Sequence, residues 1–228
     1  MRTFKIMGML LAYPTEDLQQ HMDELKAVIA EEKLIPAKVM KPLFGFMDDL
    51  ARRNLMRVQE DYVANFDRSR AHSLYLFEHV HGESRDRGQA MVDLMDLYKS
   101  HGFELAAREL PDYLPLFLEF LAVLPFEEAK ELLAETVHIL GAVGAKLKAK
   151  KLGYSHVYRA LEALTDAKAD EKFVEQALID AEQEDTSFEA LDKQWEETPA
   201  FDGDASCAVC PSATRHQGTA PAAPNAQR

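Results

Sequence analysis

The chain has little that could stiffen or cross-link it: two cysteines, one tryptophan, and only ten glycines and ten prolines in 228 residues. The cysteines, Cys207 and Cys210, lie together near the C-terminus, so no disulfide framework can staple the fold and a reducing, cytoplasmic setting is expected. No apolar run approaches the ~18–20 residues needed to cross a bilayer. The N-terminal run before Pro14 is short and leads straight into an amphipathic segment, so it reads as a first core helix rather than a signal peptide. Cations are scarce as well, 26 Lys and Arg against 39 Asp and Glu, a formal charge of -13. That field repels phosphate backbones and anionic lipid heads, which argues against nucleic acid and stable membrane association. It would attract a basic peptide, although acidity is also an ordinary solubility device.

What is abundant is Ala, Leu, Glu, Lys, Met and Gln, the residues that lose least on entering a helix. Apolar residues recur at helical spacing in Leu18, Met22, Leu25 and Ile29, with Thr15 placed to cap, and in Val39, Leu43, Phe46 and Leu50. Pro42 leaves two options for that second helix, a start near Pro42 or a bend there. Further stripes are Leu55, Val58, Tyr62, Phe66; Met91, Leu94, Met95, Tyr98; Leu114, Phe117, Leu118, Leu121; Leu133, Val137, Leu140, Val143, Leu147; Val157, Leu161, Leu164; and Phe173, Ala177, Leu178, Ala181. Turn signals fall at Gly82, His101-Gly102, Pro111, Pro125 and Gly153. The expected fold is all-α, a single compact bundle of roughly nine or ten helices over residues 1–198, followed by a disordered tail over 199–228. Just before the tail, Phe188, Leu191 and Trp195 share a helical face that would dock on the core.

Residues 66–91 depart from this pattern. Asp67, Glu78, Glu83 and Asp86 stand among Arg68, Arg70, Arg85 and Arg87, with Tyr75, Phe77, His79 and His81 between them, and Ser84 is placed to cap the following helix. Ion pairing at helix ends would account for the charges. The functional alternative is a groove wall, with Tyr75 and Phe77 as apolar contacts, acids facing a basic partner, and Arg68 and Arg87 holding the hinge. Glu109 to Glu119, Glu-Leu-Pro-Asp-Tyr-Leu-Pro-Leu-Phe-Leu-Glu, would supply the facing wall through Asp112, Tyr113, Phe117 and Glu119. Asp112 could equally cap a helix that has Pro115 in its first turn.

These segments resemble a known family. Tyr62 to Phe66 with Asp67-Arg68, the string Leu-Phe-Glu-His-Val-His-Gly-Glu-Ser-Arg-Asp-Arg-Gly-Gln-Ala-Met ending at Met91, and Glu-Leu-Pro-Asp-Tyr-Leu-Pro-Leu from Glu109 are similar to the NarJ-type respiratory nitrate reductase delta subunits, within the TorD-like redox-enzyme maturation chaperones. The resemblance runs over roughly residues 1–198. It implies an all-helical cytoplasmic chaperone, not an enzyme, that binds the apo catalytic (alpha) subunit of nitrate reductase, including its N-terminal remnant of a twin-arginine signal. It further implies help in inserting molybdenum bis-molybdopterin guanine dinucleotide and an iron-sulfur cluster before membrane docking, with no cofactor held permanently. Molybdenum cofactor biosynthesis proteins become further candidate partners. Asn65 stands where the wider family has Leu, and Tyr113 where it has His, so no histidine role carries over to that position.

Rival chemistry rests on thinner patterns. Glu78 with His81, and Glu135 with His138, are i, i+3 pairs of the kind that di-iron carboxylate bundles use twice, although Gly82 would end the first helix. Cys207 and Cys210, with His216 beyond, have the spacing of a metal knuckle but no second pair. His79 and Glu83 could be an acid–base pair, yet no nucleophile elbow, phosphate loop or dinucleotide fingerprint accompanies them. A permanent structural subunit is the remaining alternative, and it predicts one hydrophobic face that stays buried.

Overall fold

A computed structural model describes residues 1–81, 86–105 and 109–183. The expected boundary near residue 198, the Phe188–Leu191–Trp195 helix, the tail, both cysteines and His216, together with Gly82, Glu83, Ser84 and Arg85, lie outside the described residues. The fold is all-α. Twelve α-helices occur among the described residues: α1 Arg2–Leu11, α2 Glu16–Gln20, α3 Met22–Glu32, α4 Ala37–Arg52, α5 Leu55–Tyr62, α6 Glu78–His81, α7 Asp86–Ser100, α8 Leu114–Val123, α9 Phe126–Glu135, α10 Val137–Ala149, α11 Ser155–Glu162 and α12 Glu171–Gln183. A π-helical turn, Val63–Asp67, extends α5, and a 3-10 turn covers Arg70–His72.

The count exceeds the expected nine or ten because local chemistry divides single stripes. Thr15 accepts the Leu18 N–H at 3.2 Å and starts α2, but the chain turns at His21 and restarts as α3, so Leu18 and Ile29 belong to different helices. The four-residue α6 is a second addition, and a third comes from the expected Leu133–Leu147 stripe, which breaks at Thr136 into α9 and α10. Pro42 neither starts nor ends its helix: α4 runs from Ala37 and carries Pro42 in its interior, with Val39, Leu43, Phe46, Met47 and Leu50 buried.

The N-terminal segment is core, as its apolar run implies. Seven of the ten residues of α1 are buried. It packs chiefly on α8 and also touches α3 and α11. Gly8 permits the close approach to α8, since a Cβ there would stand 3.0 Å from the Pro115 carbonyl oxygen. Beyond this pair, α4 packs on α3 and α11, and α10 packs on α11 and α12. Each fully buried Leu, Ile or Phe in such a core contributes about 1.5–3 kcal/mol. The α7 stripe proved less buried than its periodicity suggests: only Tyr98 is buried, and Met95 is 37% exposed. No described helix is long and apolar enough to cross a membrane.

Candidate functional site

Tyr62 and Phe66, one turn apart, point inward, with ring centroids 5.0 Å apart, and Tyr154 meets Phe66 edge-on at 4.8 Å. The Tyr62 hydroxyl donates to the Leu11 carbonyl at 2.9 Å and meets the Tyr113 hydroxyl, and burial raises its pKa. Both side chains, and Phe117, belong to the core and are not surface contacts. Asp67 and Arg68 are exposed at the end of the π turn.

The expected pair of facing walls is corrected by the backbone. Segments 74–76 and 112–114 pair side by side: the Leu76 N–H donates to the Asp112 carbonyl at 3.0 Å and the Leu114 N–H to the Leu74 carbonyl at 2.8 Å. Tyr75 and Tyr113 form an isolated antiparallel bridge, their rings 5.5 Å apart and tilted by 41°. The two segments make one ridge.

Asp112 lies under that ridge. It is 0% exposed, its Oδ2 accepts the Phe77 N–H at 3.1 Å, and Arg87 Nη2 stands 3.8 Å away. Burial raises its pKa, against the opposing effects of the Phe77 amide and Arg87. It therefore cannot supply rim acidity, and it does not cap α8, whose N-cap is Tyr113 with Pro115 in the first turn. Glu78 is likewise engaged, accepting from Ser73 Oγ and from Arg87 Nη2 at 3.3 Å. Arg87 thus ties the start of α7 to Glu78 and Asp112. Half-buried His79 bonds through Nε2 to the Ser73 carbonyl at 2.9 Å, and burial lowers its pKa. Phe77 is partly buried against the core. Glu83 lies outside the described residues; His81 closes α6, and of its side chain nothing is described.

One cleft, of about 230 Å³, lies between α1 and the start of α8, lined by Lys5, Gly8, Met9, Ala12, Glu109, Tyr113, Pro115, Leu116 and Glu119. Its floor is apolar and its rim acidic. Glu119 pairs with Lys5 at 3.6 Å, and both are about half exposed or more. Tyr75 donates to Glu109 Oε2 at 3.2 Å, and burial together with Glu109 pushes its pKa up to about 12. The second cleft, of about 500 Å³, opens between the 3-10 turn, α6, α10 and α12. The predicted residues thus divide, Tyr113 and Glu119 lining the first cleft and Glu78 and His79 the second. Sequence reasoning missed Lys5 and Met9, because it assigned α1 wholly to the core.

The di-iron alternative is overturned. Glu135 ends α9 and His138 is the second residue of α10, beyond Thr136, so the pair shares no helix, and His138 Nδ1 accepts the Asp170 N–H at 2.8 Å. Among the described residues no group of three or more His, Cys, Asp or Glu could hold a metal ion.

The described residues thus define an all-helical protein with two open clefts and a hydrogen-bonded ridge. The chain belongs to the nitrate reductase delta subunit family, whose model matches residues 13–157. It is 44% identical over 192 residues to the nitrate reductase molybdenum cofactor assembly chaperone NarJ of Escherichia coli (strain K12), covering 84% of this chain and 81% of that protein. It is 40% identical over 197 residues to the probable chaperone NarW of the same strain, covering 86% and 82%. A probable NarJ of Bacillus subtilis (strain 168) is 29% identical over 161 residues, covering 71% and 86%. The family and these relatives are assembly chaperones, not catalysts.

Proposed function

We propose that the chain is a maturation chaperone of nitrate reductase that holds the apo catalytic subunit, including its N-terminal remnant signal peptide, while the molybdenum cofactor is inserted. Iron-sulfur insertion into the same subunit would fall within the same holding step, before membrane docking, and the work is cytoplasmic. Molybdenum cofactor biosynthesis proteins would meet the complex and not the chaperone's own interior. The observation that carries this reading is the cleft between α1 and α8, whose apolar floor of Met9, Ala12, Pro115 and Leu116 is rimmed by Glu109 and Glu119. An amphipathic basic peptide lays its apolar face in such a groove and its cations on the rim. Tyr75 and Tyr113 add aromatic faces that accept a cation. Lys5 already occupies Glu119, so an incoming ligand cation takes the place of an internal one.

The test is calorimetric titration of the full chain with a peptide copying the first ~15–20 residues of the catalytic subunit, enough for one amphipathic helix of several turns, at low and high salt. Saturable binding that weakens with salt is expected. Absence of binding at low salt would refute the peptide part of the proposal.

A further inference from the structure

The helix α12 rests on α10 without entering the core. None of its described side chains, residues 171 to 181, is fully buried, against seven residues in α1 and six in α8. Its stripe of Val174, Ala177, Leu178 and Ala181 is half-buried, while Phe173 and Ile179 are 37% and 43% exposed. Its lead-in is tied to α10 where the Asp170 N–H donates to His138 Nδ1 at 2.8 Å, and the Phe173 ring stands 6.3 Å from the His138 ring. Along its other flank lies the cleft of about 500 Å³, where Ala177, Ala181 and Asp180 face Arg70, His79 and Lys146. The tightest point is Gly141, where an added Cβ would stand 2.5 Å from Ala169 Cβ and 3.4 Å from Val174 Cγ2.

We propose that the α10 face beneath α12 is a docking groove for an amphipathic helix of the client subunit, with α12 as its displaceable internal occupant. The proposal rests on the chaperone reading above. The occupant's chemistry is read from α12 itself: a stripe of small and aliphatic residues at helical spacing, with an acidic shoulder in the position of Asp180, beside the cations Arg70 and Lys146. This differs in sign from the cleft between α1 and α8, whose Glu109 and Glu119 suit a basic segment. A helix that buries no side chain completely belongs to the low-stability end of a structure and opens without global unfolding. Client affinity is then reduced by the fraction of molecules in which α12 is released, and anything that loosens α12 raises it.

The experiment uses a fluorescein-labelled peptide with the sequence of residues 169–183, titrated into the full chain and followed by anisotropy. Two variants loosen α12 at independent positions of its own stripe and leave the α10 face unchanged. Val174→Ala trims a half-buried side chain that faces Gly141. Leu178→Ala trims a second half-buried side chain one turn further on, and neither position belongs to the fully buried core, so folding is secure. Both variants are expected to bind the labelled wild-type copy roughly tenfold more tightly than the wild type, because the open fraction rises while the groove is intact, and the apo catalytic subunit is expected to displace it. Equal binding to all three chains, binding to none, or a bound copy that the apo subunit leaves in place would overturn the proposal. Direct capture of the apo subunit by the wild-type chain separates the two ideas: capture without competition sinks the groove alone, and no capture sinks the chaperone reading.

Discussion

Replacing Asp112 by alanine should be among the most costly single changes outside the apolar core, and its cost can be worked from the bridge it supports. The carboxylate is fully buried and accepts the Phe77 N–H at 3.1 Å. Alanine leaves that amide without its partner, which costs about 1–3 kcal/mol. Arg87 is 22% exposed and keeps Glu78 at 3.3 Å, so its share of the loss stays below about 1 kcal/mol. Together these give about 1–4 kcal/mol, or roughly 2–16 °C in Tm for a chain of this size. Asp112→Asn keeps an oxygen for Phe77, and because burial already disfavours the charged carboxyl, it should cost less than about 1 kcal/mol. A folded-state pKa above the unfolded one means that charged Asp112 detracts from stability at neutral pH, and that this cost fades as pH falls through the folded value toward ~3.9. Urea unfolding followed by far-UV circular dichroism across pH measures both effects. Asp112→Ala matching Asp112→Asn, or a gap between wild type and Asp112→Asn that fails to shift toward the wild type on acidification, would refute the reasoning.

Three further outcomes are expected. Burial, aided by Lys150 and Lys146, pushes the His72 pKa down to about 4, so native His72 stays neutral where the unfolded chain takes up a proton. Stability should therefore decline by about 3 kcal/mol between pH ~6.5 and ~4, and His72→Gln should flatten that decline in denaturant melts; an unchanged slope would place the acid sensitivity elsewhere. Gly153→Ala would set a methyl 2.4 Å from Phe46 Cδ2, an overpacking worth about 1–3 kcal/mol by thermal unfolding, and an unshifted Tm would mean the turn has slack. Glu119→Lys should weaken the N-terminal peptide roughly 3–10-fold at low salt and hardly at all in high salt, with Glu135→Lys as the surface control; equal effects of the two reversals would remove the α1–α8 cleft from the peptide site.

Helices were the legible part of the sequence because a buried stripe must repeat at 3.6 residues, and Val39–Leu43–Phe46–Leu50 or Val137–Leu140–Val143–Leu147 have no other use. What periodicity cannot convey is depth: Met91, Leu94 and Met95 share a stripe with Tyr98, yet only Tyr98 is buried. The site was harder, since its organising contact is a backbone bridge between residues 75 and 113 that no side-chain pattern announces. Asp112 illustrates the limit. An aspartate before a proline-started helix looks like a cap, and only the fold reveals that its acceptor serves Phe77, far away in sequence. The ion pairs of the 66–91 segment were legible as chemistry, and Glu78 with Arg87 meets that expectation at 3.3 Å.

The bridge also fixes where this molecule can tolerate change. Because Leu76 and Leu114 are already fastened to the opposite segment by main-chain bonds, everything from residue 77 to residue 111, α7 included, leaves and re-enters the scaffold at adjacent points. Doubling the length of that excursion would cost only about 0.6 kcal/mol of closure entropy, so insertions among its exposed residues are tolerated as long as Tyr98, fully buried with its ring 4.6 Å from that of Phe120, stays in place.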